Sequence, residues 1–181
     1  MIIIKNPDKT EWPSLLKRPL IDAESLFGTV RTIINKVKEE GDQAVMELEE
    51  KFDHVKLASL AVTPAETEAA EAMLSDDLKQ AIHLAQANIA AFHEAQRFGG
   101  VEVETRPGVH CWQKAVPIEK VGLYIPGGTA PLFSTVLMLA VPAQIAGCRE
   151  IVLCTPPMRS GQVHPAVLYA AKVAGVNRVF K

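Results

Sequence analysis

The stretch that decides the fold reads Glu119-Lys-Val-Gly-Leu-Tyr-Ile-Pro-Gly-Gly-Thr-Ala-Pro-Leu-Phe-Ser-Thr-Val-Leu-Met-Leu-Ala-Val-Pro-Ala-Gln-Ile-Ala-Gly147. Its first part, 120–125, is a short apolar run with an aromatic residue and a sharp stop, which predicts a β-strand. The dense apolar run 132–146 predicts a buried helix that ends at Gly147, with Pro142 kinking the helix or dividing it in two.

The alternation of strand and helix continues downstream. Residues 150–154 predict a second buried strand, and a helix follows from about His164 to Ala174 with Gly175 as its cap. Residues 176–180 begin another strand. Strand, helix, strand, helix, strand predicts a parallel sheet with right-handed crossovers, so we expect an incomplete Rossmann-like βαβαβ unit in an α/β protein.

Upstream of this unit the sequence predicts helices and a β-hairpin. Thr63-Pro-Ala-Glu66 has the capping-box arrangement, and Ser75 begins a helix that should run to about Gln96. Residues 101–116 alternate around a turn, which predicts the hairpin. We therefore expect an N-terminal arm over 1–20, and then a helical region with the hairpin over 21–118 as the first part of a discontinuous domain. The Rossmann-like nucleotide-binding domain, cut short, covers 119–181.

Composition sets the outer limits. The net charge of −2 gives no electrostatic case for binding nucleic acid or an anionic membrane. No apolar run reaches the roughly 20 residues that span a bilayer, and no signal peptide is recognisable. Three cysteines without a CxxC pair are typical of a reducing cytosol. The chain is expected to be a soluble cytoplasmic protein.

The acidic residues and histidines of the chain could be metal ligands, but their positions in the sequence do not support a metal site. The acids Glu47, Glu49 and Glu50 follow an amphipathic helical stripe, which favours a solvated face over a metal or substrate site. The histidines are scattered over different elements: His54, His83, His93, His110 and His164. A catalytic metal site needs about three protein ligands, and no such set can be assembled, so we predict no metal ligand in this chain.

The turn after the first strand of the βαβ unit is the candidate ligand-binding site that the residues suggest. Ligands of open α/β sheets sit beyond the carboxyl ends of the strands, where Tyr124, Pro126, Gly127 and Gly128 are expected. The glycines allow close approach to the backbone, and the following helix presents free N–H groups to an anion. The alternative is a tight turn beside a packed tyrosine, since the GxGxxG fingerprint is absent.

The residues from Val121 to Ala140 closely resemble the signature region of histidinol dehydrogenases. The likeness extends to further segments, which are Lys51–Asp53, Val103–Val109, Ile145–Cys148, Val152–Pro157 and Leu168–Ala171. It therefore covers essentially the whole chain. Thr129 stands where members of the family often have serine, which is a mild departure.

The resemblance implies a zinc- and NAD-dependent oxidoreductase that oxidises L-histidinol through L-histidinal to L-histidine at the end of histidine biosynthesis. It also implies a homodimer of Rossmann-like domains, and an NAD contact at Tyr124. Pro126, Gly127 and Gly128 are added from the geometry described above. The family's zinc ligands and its Glu-His pair lie downstream of the matched region. The resemblance therefore implies that this chain contains no catalytic residue and is an N-terminal portion that is inactive alone.

Two other hypotheses stay open at the level of sequence. A non-catalytic nucleotide-binding or assembly module would retain the fold without the chemistry. A different dehydrogenase acting on aldehydes or alcohols would need a catalytic cysteine, but Cys148 and Cys154 have the sequence surroundings of small buried hydrophobic residues.

Overall fold

The computed structural model describes residues 3–18, 24–127 and 130–181, and the chain forms two compact units, residues 1–41 and 42–181. The described residues of the first unit form a short 3₁₀ turn and two α-helices, which are Lys9–Glu11, α1 (Trp12–Leu15) and α2 (Glu24–Glu40). Parts of the predicted arm 1–20, and its boundary with the next region, lie outside the described residues.

The second unit mixes five helices with five strands among its described residues. The helices are α3 (Asp42–Phe52), α4 (Pro64–Ala72), α5 (Asp76–Glu94), α6 (Phe133–Ile145) and α7 (Pro165–Val173). The strands are β1 (Val101–Arg106), β2 (Val109–Gln113), β3 (Lys120–Tyr124), β4 (Glu150–Cys154) and β5 (Arg178–Phe180). No helix in the described segments combines the length and apolar character needed to cross a bilayer.

Strands β3, β4 and β5 form a three-stranded parallel sheet in that order, as the sequence predicts. Tyr124 pairs with Cys154, and Cys154 pairs with Phe180, so the three strands end side by side. Residues 60–62 run along β5, where the Val62 N–H donates to the Val179 carbonyl at 3.0 Å. The α/β fold class is confirmed.

The core forms where α6 and α7 pack together, with α5 against α6 and α4 against α7. Its fully buried large side chains come from three elements and one loop position, and they are Ile82, Ile125, Val136, Leu137, Val141, Ile151 and Leu153. α6 contains so many of them because it is apolar on nearly every face.

Pro142 does not divide α6, which runs without interruption from Phe133 to Ile145, so that part of the prediction is wrong. A proline removes the N–H that would bond to the carbonyl four residues earlier, here that of Met138. Met138 is half exposed, so water can reach that side of the helix and solvate the carbonyl.

The local start and stop signals act as the sequence predicts. Thr63 and Glu66 form a complete capping box, and Ser75 accepts a hydrogen bond from the Leu78 N–H at 3.3 Å. Gly147 and Gly175 follow α6 and α7 with φ of +90° and +72°, a region that glycine adopts without a steric penalty. The antiparallel hairpin β1-β2 is likewise confirmed.

Candidate functional site

A groove of about 420 Å³ opens at the carboxyl ends of the parallel strands. It is lined by the last residues of β3, β4 and β5, by the segment after β4, and by one side of α3. The lining residues are Val45, Glu49, Asp53, Leu60, Tyr124, Cys154, Thr155, Pro156, Phe180 and Lys181. Its volume and its mixture of apolar walls with a few polar groups match small-molecule sites, and it lies where open parallel sheets bind ligands. We call it the strand-end groove.

Tyr124 is the most conspicuous member of the strand-end groove. Its side chain is 65% exposed although it ends a strand whose next residue, Ile125, is fully buried. The Ile125 N–H donates to the Cys154 carbonyl at 2.9 Å and holds the chain against β4 as it leaves the sheet. An aromatic ring presented in this way can stack on a planar ligand.

The turn after β3 lies at the edge of this groove. Pro126 and Gly127 are exposed, whereas Gly128 lies outside the described residues. A Cβ on Gly127 would stand 2.7 Å from Cγ of Pro156, so the structure gives this glycine a packing role against the lining of the groove. Contact of these residues with a ligand stays a prediction.

The N-terminus of α6 follows this turn. Leu132 occupies the N-cap position and offers no side-chain hydrogen bond to the first turn of the helix. The unused N–H groups and the positive end of the helix dipole favour an anion there, by roughly 0.3–1 kcal/mol at an exposed position. The geometry is consistent with the anion-binding role expected from the sequence.

Glu49 overturns the prediction that the acids of α3 form a plain solvated face. Its residue is only partly exposed, and its Oε2 atom is buried without a hydrogen-bond partner among the described residues. Desolvation by burial, with a smaller contribution from the charge of Asp53, raises the pKa of the Glu49 carboxyl. Glu50, by contrast, is exposed as expected.

Lys181 lines the groove, but its ammonium group pairs with Glu66, which is not part of the groove lining. Its Nζ donates to Oε1 of Glu66, and its backbone N–H donates to the Leu60 carbonyl at 2.8 Å. Burial raises the pKa of Glu66, but hydrogen bonds from Lys181 and the Thr63 N–H outweigh that effect, so the pKa is lowered overall. Within the parts of the chain that are described, no basic side chain forms an ion pair with Glu49 or Asp53.

The cysteines show one further correction. Cys154 is exposed at the end of β4, so the prediction of a small buried residue is wrong there, while Cys148 is partly buried. The alternating pattern of β4 buries Ile151 and Leu153, and Cys154 follows on the strand end that opens into the groove. Partial desolvation raises the pKa of the Cys154 thiol, which disfavours the reactive thiolate.

The histidines are spread over different elements, as predicted. Nε2 of His83 lies 3.1 Å from the hydroxyl of Tyr169, and His164 caps α7 through its Nδ1 atom. His110 lies on the hairpin, 3.8 Å from Glu102 and 3.9 Å from Glu104. Across residues 3–18, 24–127 and 130–181, no three His, Cys, Asp or Glu side chains are arranged to hold a metal ion. The described residues therefore do not fit a zinc site.

A larger cavity, of about 640 Å³, lies at the opposite end of the sheet. Residues 117 and 118, just before β3, and Cys148, just before β4, belong to its lining. Ligands of open parallel sheets bind at carboxyl ends, so its position makes it the weaker candidate despite its size.

Sequence reasoning expects Tyr124, Pro126 and Gly127 at the carboxyl end of the sheet, which is where the structure has them. It did not include Glu49, Asp53 or Leu60, which line the same groove. The helical spacing of α3 carries no signal that Glu49 would line a groove, because Tyr124, Cys154 and the other lining residues beyond α3 come from distant parts of the sequence.

A mixed α/β unit with an open parallel sheet and a groove at its carboxyl ends defines the structural class, and comparisons with known proteins define the family. The sequence model described as histidinol dehydrogenase matches residues 16–181. Histidinol dehydrogenase from Bacteroides thetaiotaomicron is 66% identical over 181 residues, which are all of this chain and 42% of that relative. The Salmonella typhimurium histidinol dehydrogenase is 52% identical over 168 residues, 92% of this chain and 38% of the relative.

A solved structure agrees. The crystal structure of histidinol dehydrogenase from Elizabethkingia anophelis superposes with a TM-score of 0.92 at 48% identity, covering 97% of this chain and 41% of that one. The chain belongs to the histidinol dehydrogenase family, a family of oxidoreductases. It corresponds to the N-terminal portion and spans about two fifths of the length of the curated relatives described here.

Proposed function

We propose that this chain supplies the part of a zinc- and NAD-dependent histidinol dehydrogenase that contacts the nucleotide. The whole enzyme would oxidise L-histidinol through L-histidinal to L-histidine, in the last steps of histidine biosynthesis. Membership of the family supports the reaction, and the exposed Tyr124 beside the strand-end groove is the observation that supports the nucleotide contact.

The residues present fit part of an NAD molecule. Tyr124 offers an exposed ring, Pro126 and Gly127 lie beside it, and the uncapped first turn of α6 favours an anionic group. A contact of Gly128 with the ligand is proposed from the sequence alone. The groove volume of about 420 Å³ lies within the range of ligand sites. NAD, when bound, supplies the hydride acceptor; these residues of the chain would bind and orient it.

Zinc is proposed for the whole enzyme only. The described residues do not fit a metal site, and the resemblance places the family's zinc ligands and proton-handling residues downstream of the matched region. No catalytic step is assigned to this chain. The homodimer is proposed on the same resemblance. The cytoplasmic location is proposed from the cysteine pattern, and the division into segments 1–20, 21–118 and 119–181 from the order of the predicted elements.

The test of the nucleotide contact is a calorimetric titration of NAD into the purified chain. Tyr124→Leu should weaken NAD binding about tenfold, since aromatic stacking contributes roughly 0.5–1.5 kcal/mol beyond buried area. Trp112→Leu is the matched control, because Trp112 is 69% exposed on β2 and does not line the groove. Equal binding by both variants would remove Tyr124 from the site.

The same preparation separates the proposed enzyme portion from a catalytically complete protein. With L-histidinol, NAD and zinc present, the 181-residue chain should form no NADH. Turnover that requires zinc would overturn the proposal that the catalytic residues lie elsewhere. Binding of NAD without turnover is the expected result. A non-catalytic module would give the same result, so a second assay adds the remaining part of a histidinol dehydrogenase chain and asks whether NADH then forms.

A further inference from the structure

We infer that Glu49 is a ligand-contact residue whose carboxylate accepts hydrogen bonds from the hydroxyl pair of the adenosine ribose of a dinucleotide and disfavours a ribose that carries a phosphate. The inference rests on the proposed nucleotide site and deepens it, because it names the group that selects NAD over NADP.

The first observation is the unsatisfied oxygen of Glu49. Oε2 is buried and has no hydrogen-bond partner in the described part of the chain, although the side chain lines an open groove. Buried polar atoms without a partner are rare in folded proteins, and each one calls for an explanation such as a missing ligand. A carboxylate is an acceptor only, so the missing group must be a donor.

The second observation is that an exposed aromatic residue lines the same groove as Glu49. Tyr124 lines the same groove with an exposed ring, at the carboxyl ends of the parallel strands. A nucleoside can use both groups, because its planar base can stack on the ring and its ribose hydroxyls can donate hydrogen bonds to a carboxylate of the same groove. An acidic residue that binds ribose hydroxyls is the recurrent solution of dinucleotide-binding sheets.

The charges of the groove oppose a phosphate at this point. Glu49 lies in the last turn of α3 and Asp53 directly follows the helix, and both line the groove. Neither has a basic partner within the described residues, and the ammonium group of Lys181 is engaged by Glu66. An additional phosphate on the ribose would meet two acidic side chains without a compensating cation, so NADP should bind more weakly than NAD.

A metal ion is a poorer occupant of the same place. No set of three His, Cys, Asp or Glu side chains in the described ranges is arranged for one. Burial and, to a smaller extent, the charge of Asp53 raise the pKa of the Glu49 carboxyl in the folded chain. Donors from a bound ligand would compensate that loss of hydration.

The experiment compares the affinities of NAD and NADP for three proteins by calorimetry: the unsubstituted chain, Glu49→Gln, and Glu50→Gln. Glu50→Gln makes the same chemical change on an exposed residue of the same helix that does not line the groove. The unsubstituted chain should prefer NAD. Glu49→Gln should narrow the ratio of NAD to NADP affinity about tenfold, the effect of one hydrogen bond to a charged group, whereas Glu50→Gln should leave it unchanged.

A second measurement needs no substitution, so it holds even if Glu49→Gln fails to fold. The unsubstituted chain should bind AMP more tightly than 2′-deoxy-AMP, because the deoxynucleotide lacks one donor. An unchanged ratio in Glu49→Gln with NAD binding intact, or equal binding of AMP and 2′-deoxy-AMP, would overturn the role of Glu49 and leave the Tyr124 site standing. Failure of the unsubstituted chain to bind either dinucleotide would overturn both.

Discussion

The buried centre of the second unit and the strand-end groove differ in how well their side chains are buried and paired. In the centre, Leu137 of α6 and Leu153 of β4 are fully buried and surrounded by other apolar residues. In the groove, a tyrosine stands mostly exposed and Glu49 holds a buried oxygen without a partner. Folding alone explains the first region. The second contains arrangements that folding does not favour, and such departures concentrate at functional sites.

Loss of packing in the centre should give the largest effect on stability. Leu153→Ala should lower the free energy of unfolding by about 2–5 kcal/mol, because it removes buried methyl groups and leaves a cavity. The measurement is urea denaturation followed by circular dichroism. Leu84→Ala, at a residue of α5 that is 64% exposed, should change stability by about 0.5 kcal/mol or less. A loss below about 1 kcal/mol for Leu153→Ala would contradict a tightly packed centre.

A backbone change at the edge of the centre should have an intermediate effect. Gly175 has φ +72°, and a Cβ there would lie 2.6 Å from Nε2 of Gln144. Gly175→Ala should therefore reduce the free energy of unfolding by about 1–2 kcal/mol. Gly122→Ala is the control, because Gly122 has no positive φ and open space around its Cβ position. Thermal unfolding followed by circular dichroism compares the two variants with the unsubstituted chain. If all three unfold at the same temperature, Gly175 is not needed as the cap of α7.

Relief of the unsatisfied carboxylate should give the smallest effect, and it should be a gain. Glu49→Gln should raise the free energy of unfolding by up to about 1 kcal/mol near neutral pH, because it removes a desolvated charge. This gain would set the groove apart from the centre, where substitutions are expected to destabilise the fold.

The pH dependence of that gain follows from the raised pKa of Glu49 in the folded chain. The folded state binds this proton more tightly than the unfolded state, whose carboxyl has its ordinary value of 4.5. Stability from this group is thus fully present below 4.5 and is lost as pH rises through the folded pKa. The advantage of Glu49→Gln should grow over the same range and vanish in acid.

Urea denaturation at a series of pH values measures this difference. Other titrating groups that line the groove, which are Asp53, Tyr124, Cys154 and Lys181, are present in both proteins. Glu50→Gln should show no comparable trend, since Glu50 is exposed. A flat difference between Glu49→Gln and the unsubstituted chain would show that the buried oxygen imposes no cost.

Much of the fold could be predicted because its signals are local. The β4 strand has the predicted bounds, Glu150–Cys154, and the capping box at Thr63 forms as its sequence indicates. Tyr124 could be placed at the end of its strand from the turn residues that follow it. These features depend on residues within about one turn or one strand of each other.

The amino-acid sequence by itself determined the α/β class, the order of the elements in the parallel sheet unit, and the resemblance to one family, which the comparisons confirm. Only the tertiary structure decided that Glu49 is covered, that Cys154 is exposed, and that Gly127 packs against Pro156. The physical reason is that spacing along a helix or strand defines which side chains share a face. What lies over that face comes from segments far away in the sequence, and it is set only when they pack together.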